Sequence, residues 1–323
     1  MSGREPTPAG TEAEPRPIIL DCDPGHDDAL AMLLALSRPE LSVLAVTTVG
    51  GNADLVRTTR NALAVLTLAG RTDVPVAMGA AGPLRGDLHV ARDVHGESGL
   101  DGADLPVPIV GPAGEGAVAL MARLIGASPG PVTLVPTGPL TNIADFLREH
   151  PGLRPRIARI CLMGGAIGEG NATASAEFNI WVDPEAAAEV FGSGLPLAMM
   201  GLDVTHQARV TVAESDAWAT LGTHAGRVFA DLFRFFARFH RQRYGWDGSP
   251  IHDAVAVAHV LDLGLVRTAR YRVDVETQGE FTRGRTVVDE HALSGRAPNA
   301  EVGIGIDRKA FLGLVREALA AFP

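Results

Sequence analysis

Lysine is almost missing from this chain. Lys309 stands alone against 27 arginines, so no G-x-x-x-x-G-K-[ST] phosphate loop can form. Cysteine is scarce too. Cys22 and Cys161 each lie at the end of an apolar run, which reads as two buried free thiols and excludes a disulfide framework or a paired-cysteine zinc site. No apolar run reaches the ~18 residues that a membrane span needs. Positive charge is in deficit: the net charge of −10 argues against a nucleic-acid or membrane-surface partner. Met1 to Arg16 is rich in Pro, Gly and Glu and lacks an apolar segment. It reads as a disordered tail rather than a secretion signal, and a cytoplasmic location is expected. There is no internal repeat and no linker-like break, so residues 17–323 are expected to form one domain.

What is abundant is carboxylate in one place. Asp21-Cys22-Asp23-Pro24-Gly25-His26-Asp27-Asp28 packs four acids into eight residues. The apolar run Pro17-Ile18-Ile19-Leu20 enters it and Ala29 to Leu36 leaves it with helical character, so the stretch reads as strand, tight turn and helix. Acids this dense repel one another; either some stay protonated or a cation neutralises them. Oxygen donors suit hard cations, Ca²⁺ or Mg²⁺. A simpler reading makes Asp23 a helix N-cap and lets Asp27 and Asp28 complement the helix dipole. That accounts for one or two acids in a first turn, but not for Asp21 and Asp23 as well.

Further along, β-branched runs alternate with helical patterns. Strands are expected at Ser42–Thr48, Val74–Met78, Pro131–Val135, Arg159–Met163 and Leu195–Met200. Helices are expected at Asp54–Ala69, Gly114–Ile125 and Leu140–Glu149, and again from Asp183-Pro184-Glu185, an N-cap followed by proline. Residues 80–112 read as a long functional loop. Beyond Val212 the chain turns helical, with an aromatic face over 225–243, a mobile loop from Tyr244 to Pro250 and a helix from His252 to Leu261. Two late strands, Tyr271–Glu276 and Arg285–Val288, precede a closing helix from Arg308 to Ala321. The repeated strand–helix order predicts an α/β fold: a single domain with a mostly parallel open sheet and helices on both faces.

Polar residues cluster just after the expected strands: Asp21 and Asp23, then Asn52, then Thr137, then Met163 with Asn171, Glu177 and Asn179. In a parallel open sheet those strand ends share one edge, so these residues should converge on one cleft.

The acidic run matches the D-x-D-P-G-x-D-D signature of the inosine-uridine-preferring nucleoside hydrolases. Thr47 to Asn52, His95-Gly96-Glu97-Ser98-Gly99-Leu100, Pro136 to Asn142, Leu162 to Gly165, Asn171 to Asn179 and His252-Asp253-Ala254 match in order as well. From Ile18 onward the chain resembles that family, which implies its Rossmann-like fold and the hydrolysis of ribonucleosides to free base and ribose. The resemblance implies a Ca²⁺ held by Asp23, Asp28, the Thr137 carbonyl and Asp253, with Asp27 as general base on a Ca²⁺-bound water. Asp21 would support the loop. Asn52, Met163, Asn171, Glu177 and Asn179 would hold the ribose. His252, and after it His95, would protonate the departing base. Tyr244, and less so Trp246, would close over the base. His26 has no assigned role and either faces the site or solvates the turn. The implied partner is a small ribonucleoside, and the implied assembly a homodimer or homotetramer. Purine or pyrimidine preference stays open. A non-catalytic Ca²⁺-dependent nucleoside or ribose binder is the alternative; a phosphatase or phosphorylase would need an anion cradle that these residues do not offer.

Overall fold

Residues Arg16–Cys22 form the first strand, β1, and its alternation sets the two faces of the molecule. Ile18, Leu20 and Cys22 point into one apolar cluster and Ile19 into the other, the period-two pattern of a strand buried on both sides. The computed structural model describes residues 14–322; residues 1–13, most of the expected tail, and Pro323 lie outside them. Arg16, counted with the tail in the sequence reading, already pairs with Leu41.

A turn leads from β1 into α1 (His26–Leu36), every residue of which is buried. Then come β2 (Leu41–Thr48), α2 (Leu55–Leu68), β3 (Val76–Met78), α3 (Arg92–His95), α4 (Ala117–Ala127), β4 (Val132–Pro136) and α5 (Thr141–Glu149). The middle of the chain supplies β5 (Ile157–Met163), α6 (Phe178–Val182), α7 (Pro184–Phe191), β6 (Leu197–Met200) and α8 (Leu202–Thr205). Next are β7 (Arg209–Val210), α9 (Val212–Asp216), α10 (His224–Tyr244), β8 (Ser249–Pro250) and α11 (Asp253–Leu261). The last elements are β9 (Val266–Val275), β10 (Thr286–Asp289), β11 (Ala300–Ile306) and α12 (Arg308–Ala321).

Nine strands form one sheet in the order β10-β9-β11-β6-β5-β4-β1-β2-β3, and β7 pairs with β8 apart from it. Neighbours from β3 through β11 run parallel, whereas β9 is antiparallel to both β11 and β10. Side chains of α1, α2, α10, α11 and α12 cover one face; those of α4, α5 and α7 cover the other. The strand order reverses at β1, with β2 and β3 on one side and β4, β5 and β6 on the other. The gap between β1 and β4 at their carboxyl ends is therefore the topological switch point, where such sheets leave a crevice.

The expected mostly parallel α/β sheet is what the chain forms, with local corrections. Three late strands stand where two were expected, the additional one being β11. Its Val302-Gly303-Ile304-Gly305-Ile306 alternation is interrupted by glycines, which weaken a strand signal. Residues 80–112 are not wholly loop, since α3 lies within them. Ser249 and Pro250, read as part of a loop, pair with Val210 and Arg209. The N-cap of α1 is Gly25, not Asp23.

Candidate active site

Each acid of the first turn has a different surrounding. Asp21 ends its strand with Oδ1 accepting from Thr47 Oγ1 (2.6 Å) and Asn142 Nδ2 (2.8 Å). Asn142 also donates to the Thr48 carbonyl and accepts from the Ala80 amide, so Asp21 fastens the ends of β1 and β2 to the start of α5. Asp23 Oδ2 accepts from the Asn52 amide (2.6 Å), while its Oδ1 is buried with no hydrogen-bond partner. A Cβ on Gly51 would lie 2.0 Å from Asp23 Oδ2, and one on Gly138 would lie 2.6 Å from Asp23 Oδ1. Only glycine lets these two turns close around that carboxylate. Asp28, the third residue of α1, reaches back to the Gly25 amide (3.0 Å) as a capping-box acid does, and also accepts from Thr137 Oγ1 (2.8 Å).

Asp253, the first residue of α11, comes in from far along the chain. Asp27, Asp28 and Asp253 each offer an oxygen within 4.8 Å of the other two. No arginine, lysine or histidine side chain forms an ion pair with them among the described residues; the charges acting on them are one another's and that of Asp23. Burial, and after it Asp28, pushes the Asp27 carboxyl up to about 8. Burial and neighbouring acids push Asp23 and Asp253 well above the usual carboxylate range. A divalent cation would invert that balance by supplying the missing opposite charge. The orphaned Asp23 oxygen and the all-oxygen donor set fit a hard cation.

A cavity of about 340 Å³ opens above these acids. Of the residues expected in the site, Asp27, Asn52, His95, Thr137, Met163, Asn171, Glu177, Asn179, Tyr244, His252 and Asp253 all line it; Asp23 and Asp28 lie beneath. Of the strand-end residues expected to converge, Asn52, Thr137, Met163, Asn171, Glu177 and Asn179 meet at the cavity, whereas Asp21 and Asp23 do not line it. Asn179 Nδ2 donates to the carbonyls of Thr137 (2.7 Å) and Met163 (3.2 Å), tying the ends of β4 and β5. Asn52 Nδ2 donates to the Asp23 carbonyl and to Asp28 Oδ2. Glu177 caps α6 by accepting from the Asn179 and Ile180 amides and also accepts from the Gly165 amide. Desolvation still raises its carboxyl to about 7 against those bonds. Asn171 Oδ1 accepts from the Phe178 amide (2.9 Å).

Histidines and aromatic rings form the opposite wall. Tyr244 stacks on Trp246 at 4.5 Å between centroids, and Trp246 lies parallel to His240 at 6.0 Å. Arg209 sits over the Trp246 ring. The structure brings Tyr244 and Trp246 alike to the cavity, together with Phe236, Phe239 and His240 from the aromatic helical face and His206 from just after α8. Nothing in the 3.6-residue period says which part of that face is roofed by core and which by a cavity. His240 Nδ1 lies 3.1 Å from the Phe236 carbonyl. A carbonyl only accepts, so Nδ1 carries the hydrogen, and Nε2 of the neutral ring is a lone pair. His252 Nδ1 lies 2.7 Å from Thr205 Oγ1. That hydroxyl has no second partner among the described residues; if it donates to Nδ1, both groups are satisfied and His252 Nε2 bears the hydrogen. His26 is corrected: it neither solvates the turn nor lines the cavity, but is fully buried behind His95.

The family model for the inosine-uridine preferring nucleoside hydrolases matches residues 18–313. Pyrimidine-specific ribonucleoside hydrolase RihA of Salmonella arizonae is 51% identical over 304 residues, covering 94% of this chain and 98% of the relative. RihA of an Escherichia coli strain is 50% identical over the same lengths. Among solved structures, the purine-preferring ribonucleoside hydrolase from Gardnerella vaginalis superposes with a TM-score of 0.89 at 35% identity, over 94% of this chain and 98% of that one.

Proposed function

The chain belongs to the inosine-uridine preferring nucleoside hydrolase family and is a ribonucleoside hydrolase, splitting the N-glycosidic bond to free base and ribose; on that premise we propose that it uses Ca²⁺ and Asp27 and prefers pyrimidine ribonucleosides. The observation that carries this reading is the meeting of Asp27, Asp28 and Asp253 within 4.8 Å at the floor of a cavity lined with sugar-sized polar groups.

Asp23, Asp28, Asp253 and the Thr137 carbonyl would hold the ion; that carbonyl already accepts from Asn179 and keeps a second lone pair. A bound Ca²⁺ would supply positive charge for sugar hydroxyls and would make a nearby water more acidic. Asp27 lines the cavity and stands outside the proposed donor set, so it would take the proton of a water that attacks C1′. The C1′–N bond breaks with positive charge developing on the ribosyl ring. Asn52, Met163, Asn171, Glu177 and Asn179 line the sugar side, and the acidic floor opposes that charge. The electron pair leaves with the base. His252 lines the cavity; with Thr205 donating to its Nδ1, its Nε2–H would hydrogen-bond the departing base.

Base preference rests on two supports. The relatives near 50% identity are named pyrimidine-specific, whereas the purine-preferring structure is at 35%. The His240 Nε2 lone pair on the aromatic wall suits an N–H donor such as a pyrimidine imide or exocyclic amine. Tyr244 and Trp246 supply the flat faces. No described helix is long and apolar enough to cross a membrane; we read the protein as cytoplasmic and as a homodimer or homotetramer, in keeping with the family resemblance.

The test is release of free base and ribose from uridine, cytidine, inosine and guanosine by wild type and Asp27→Asn. Uridine and cytidine should turn over fastest, and Asp27→Asn should lose about 10²- to 10⁴-fold in turnover while still binding ribose. Full activity of the variant would remove Asp27 as base. Release only in the presence of phosphate would make the enzyme a phosphorylase, and binding without release from any nucleoside would make it a binder.

A further inference from the structure

The segment His95-Gly96-Glu97-Ser98-Gly99-Leu100-Asp101 has no part in the chemistry above except through His95. It is nonetheless tightly built. The Asp101 carboxylate accepts from the Glu97 and Ser98 amides and the Ser98 hydroxyl. Gly96 and Gly99 both adopt left-handed φ values, 80° and 86°, and a Cβ on Gly96 would lie 2.2 Å from the Asp101 side chain. The product of this folding is a peptide carbonyl, that of Asp101, aimed at His26 Nε2 from 2.8 Å. His26 has no solvent exposure and stacks on Phe235 and Phe236 at 5.6 and 5.0 Å. Its other nitrogen, Nδ1, lies 3.0 Å from His95 Nδ1.

We propose that His26 is a positioning residue which, held by the Asp101 carbonyl, fixes the tautomer of His95 so that His95 presents a hydrogen-bond acceptor, Nε2, to the substrate. Donor and acceptor capacity decides the assignment. A carbonyl oxygen cannot donate, so His26 Nε2 bears a hydrogen. Nδ1 of the neutral His26 ring is then a lone pair, and its 3.0 Å contact requires the hydrogen to sit on His95 Nδ1. His95 Nε2 is left bare. The His26 amide also approaches His95 Nδ1, at 3.3 Å. Satisfying that contact as well would need hydrogens on both His26 nitrogens. That is an imidazolium out of solvent whose ring partners are a neutral ring and a peptide carbonyl, a costly arrangement. The neutral assignment keeps the two shorter contacts and leaves the His26 amide, at the open first turn of α1, without His95 Nδ1 as its acceptor; the opposite His95 tautomer would keep the amide bond and set two ring lone pairs 3.0 Å apart. Gly25 belongs to the device, since a Cβ there would lie 2.6 Å from His95 Nδ1.

The consequence, resting on the hydrolase reading above, is a division of labour. His252 offers a hydrogen and His95 receives one, from a substrate hydroxyl or N–H. His95 is thereby the partner of a bound nucleoside rather than the acid that releases its base.

The test is two-dimensional ¹⁵N–¹H spectroscopy of histidine-labelled whole protein, with His95 assigned by His95→Gln. His95 is expected to carry its hydrogen on Nδ1 and His26 on Nε2. In His26→Phe, which keeps an aromatic ring but no ring nitrogens, His95 should revert to a hydrogen on Nε2, with KM for uridine rising about 5- to 10-fold, the worth of one hydrogen bond, and a smaller change in kcat. His26→Asn, whose Oδ1 can replace the lost acceptor, should restore the wild-type His95 signal. A wild-type His95 bearing its hydrogen on Nε2, wholly or in exchange, overturns the proposal, as does a His26→Phe spectrum in which His95 is unchanged. If His26→Phe does not fold, the wild-type spectrum alone decides. The tautomer is read without turnover, so absence of hydrolase activity would sink the functional reading and leave this one standing or falling by itself.

Discussion

Removing the cation should cost this protein a measurable part of its thermal stability. Asp21, Asp23, Asp27, Asp28 and Asp253 are each 4% exposed or less, and one oxygen of Asp21 and one of Asp23 lack any hydrogen-bond partner. Such a cluster is tolerable when a divalent ion shares its charge and is a liability otherwise. A ligand that binds only the folded state at about 1,000 times its dissociation constant contributes about 4.1 kcal/mol. For 323 residues, an unfolding entropy of about 2.1 cal/mol/K per residue gives about 0.7 kcal/mol/K. Chelation should therefore lower Tm by about 6 °C. Calorimetry of protein dialysed against chelator, then titrated with Ca²⁺ or Mg²⁺, measures it. Ca²⁺ should restore Tm at lower concentration, because it accepts an irregular shell that Mg²⁺ does not. Asp253→Asn should remove most of the response. A Tm indifferent to chelation and to Ca²⁺, or an Asp253→Asn response equal to wild type, would refute the argument that the cluster is a cation site.

Two further outcomes follow from single groups. His252→Ala should slow uridine hydrolysis far more than hydrolysis of a nitrophenyl riboside, whose leaving group needs no proton; equal losses on both substrates would dismiss His252 as the donor. His259 is buried with neither ring nitrogen partnered, and burial, with Arg159 nearby, lowers it from 6.5 to about 4. A depressed histidine keeps its full contribution above the unfolded value near 6.5 and loses it as pH falls toward 4. Denaturant unfolding should therefore show wild type losing about 2 kcal/mol more than His259→Leu between pH 7 and pH 4.5. Parallel losses would mean that the His259 ring finds water or a partner on protonation.

How much was legible beforehand depends on the range of the interaction. The strand, turn and helix around Asp21–Asp28 were readable because period-two and helical apolar patterns are local and because proline and glycine mark the turn. The family motifs carried the residues expected to hold metal and sugar, and the strand-end rule put most of the sugar-side ones at one cavity. β11 escaped since its glycines hid an alternation that only pairing with β6 and β9 makes a strand. His240 escaped because it shares a helical face with Phe229, Phe233 and Phe236, and the face alone does not say where the core stops.

The sequence by itself determined that acids would be crowded at the mouth of a parallel sheet, because four of them are adjacent in the chain and strand order follows from repeated βα units. Only the tertiary structure decided what each touches. Thr137 reaches Asp28 across 109 positions, Asp253 arrives from a helix late in the chain, and His95 meets a buried ring 69 residues before it. The role of a carboxylate or an imidazole is set by its burial and by the partner of each lone pair, and those partners are chosen by packing, not by neighbours in the chain.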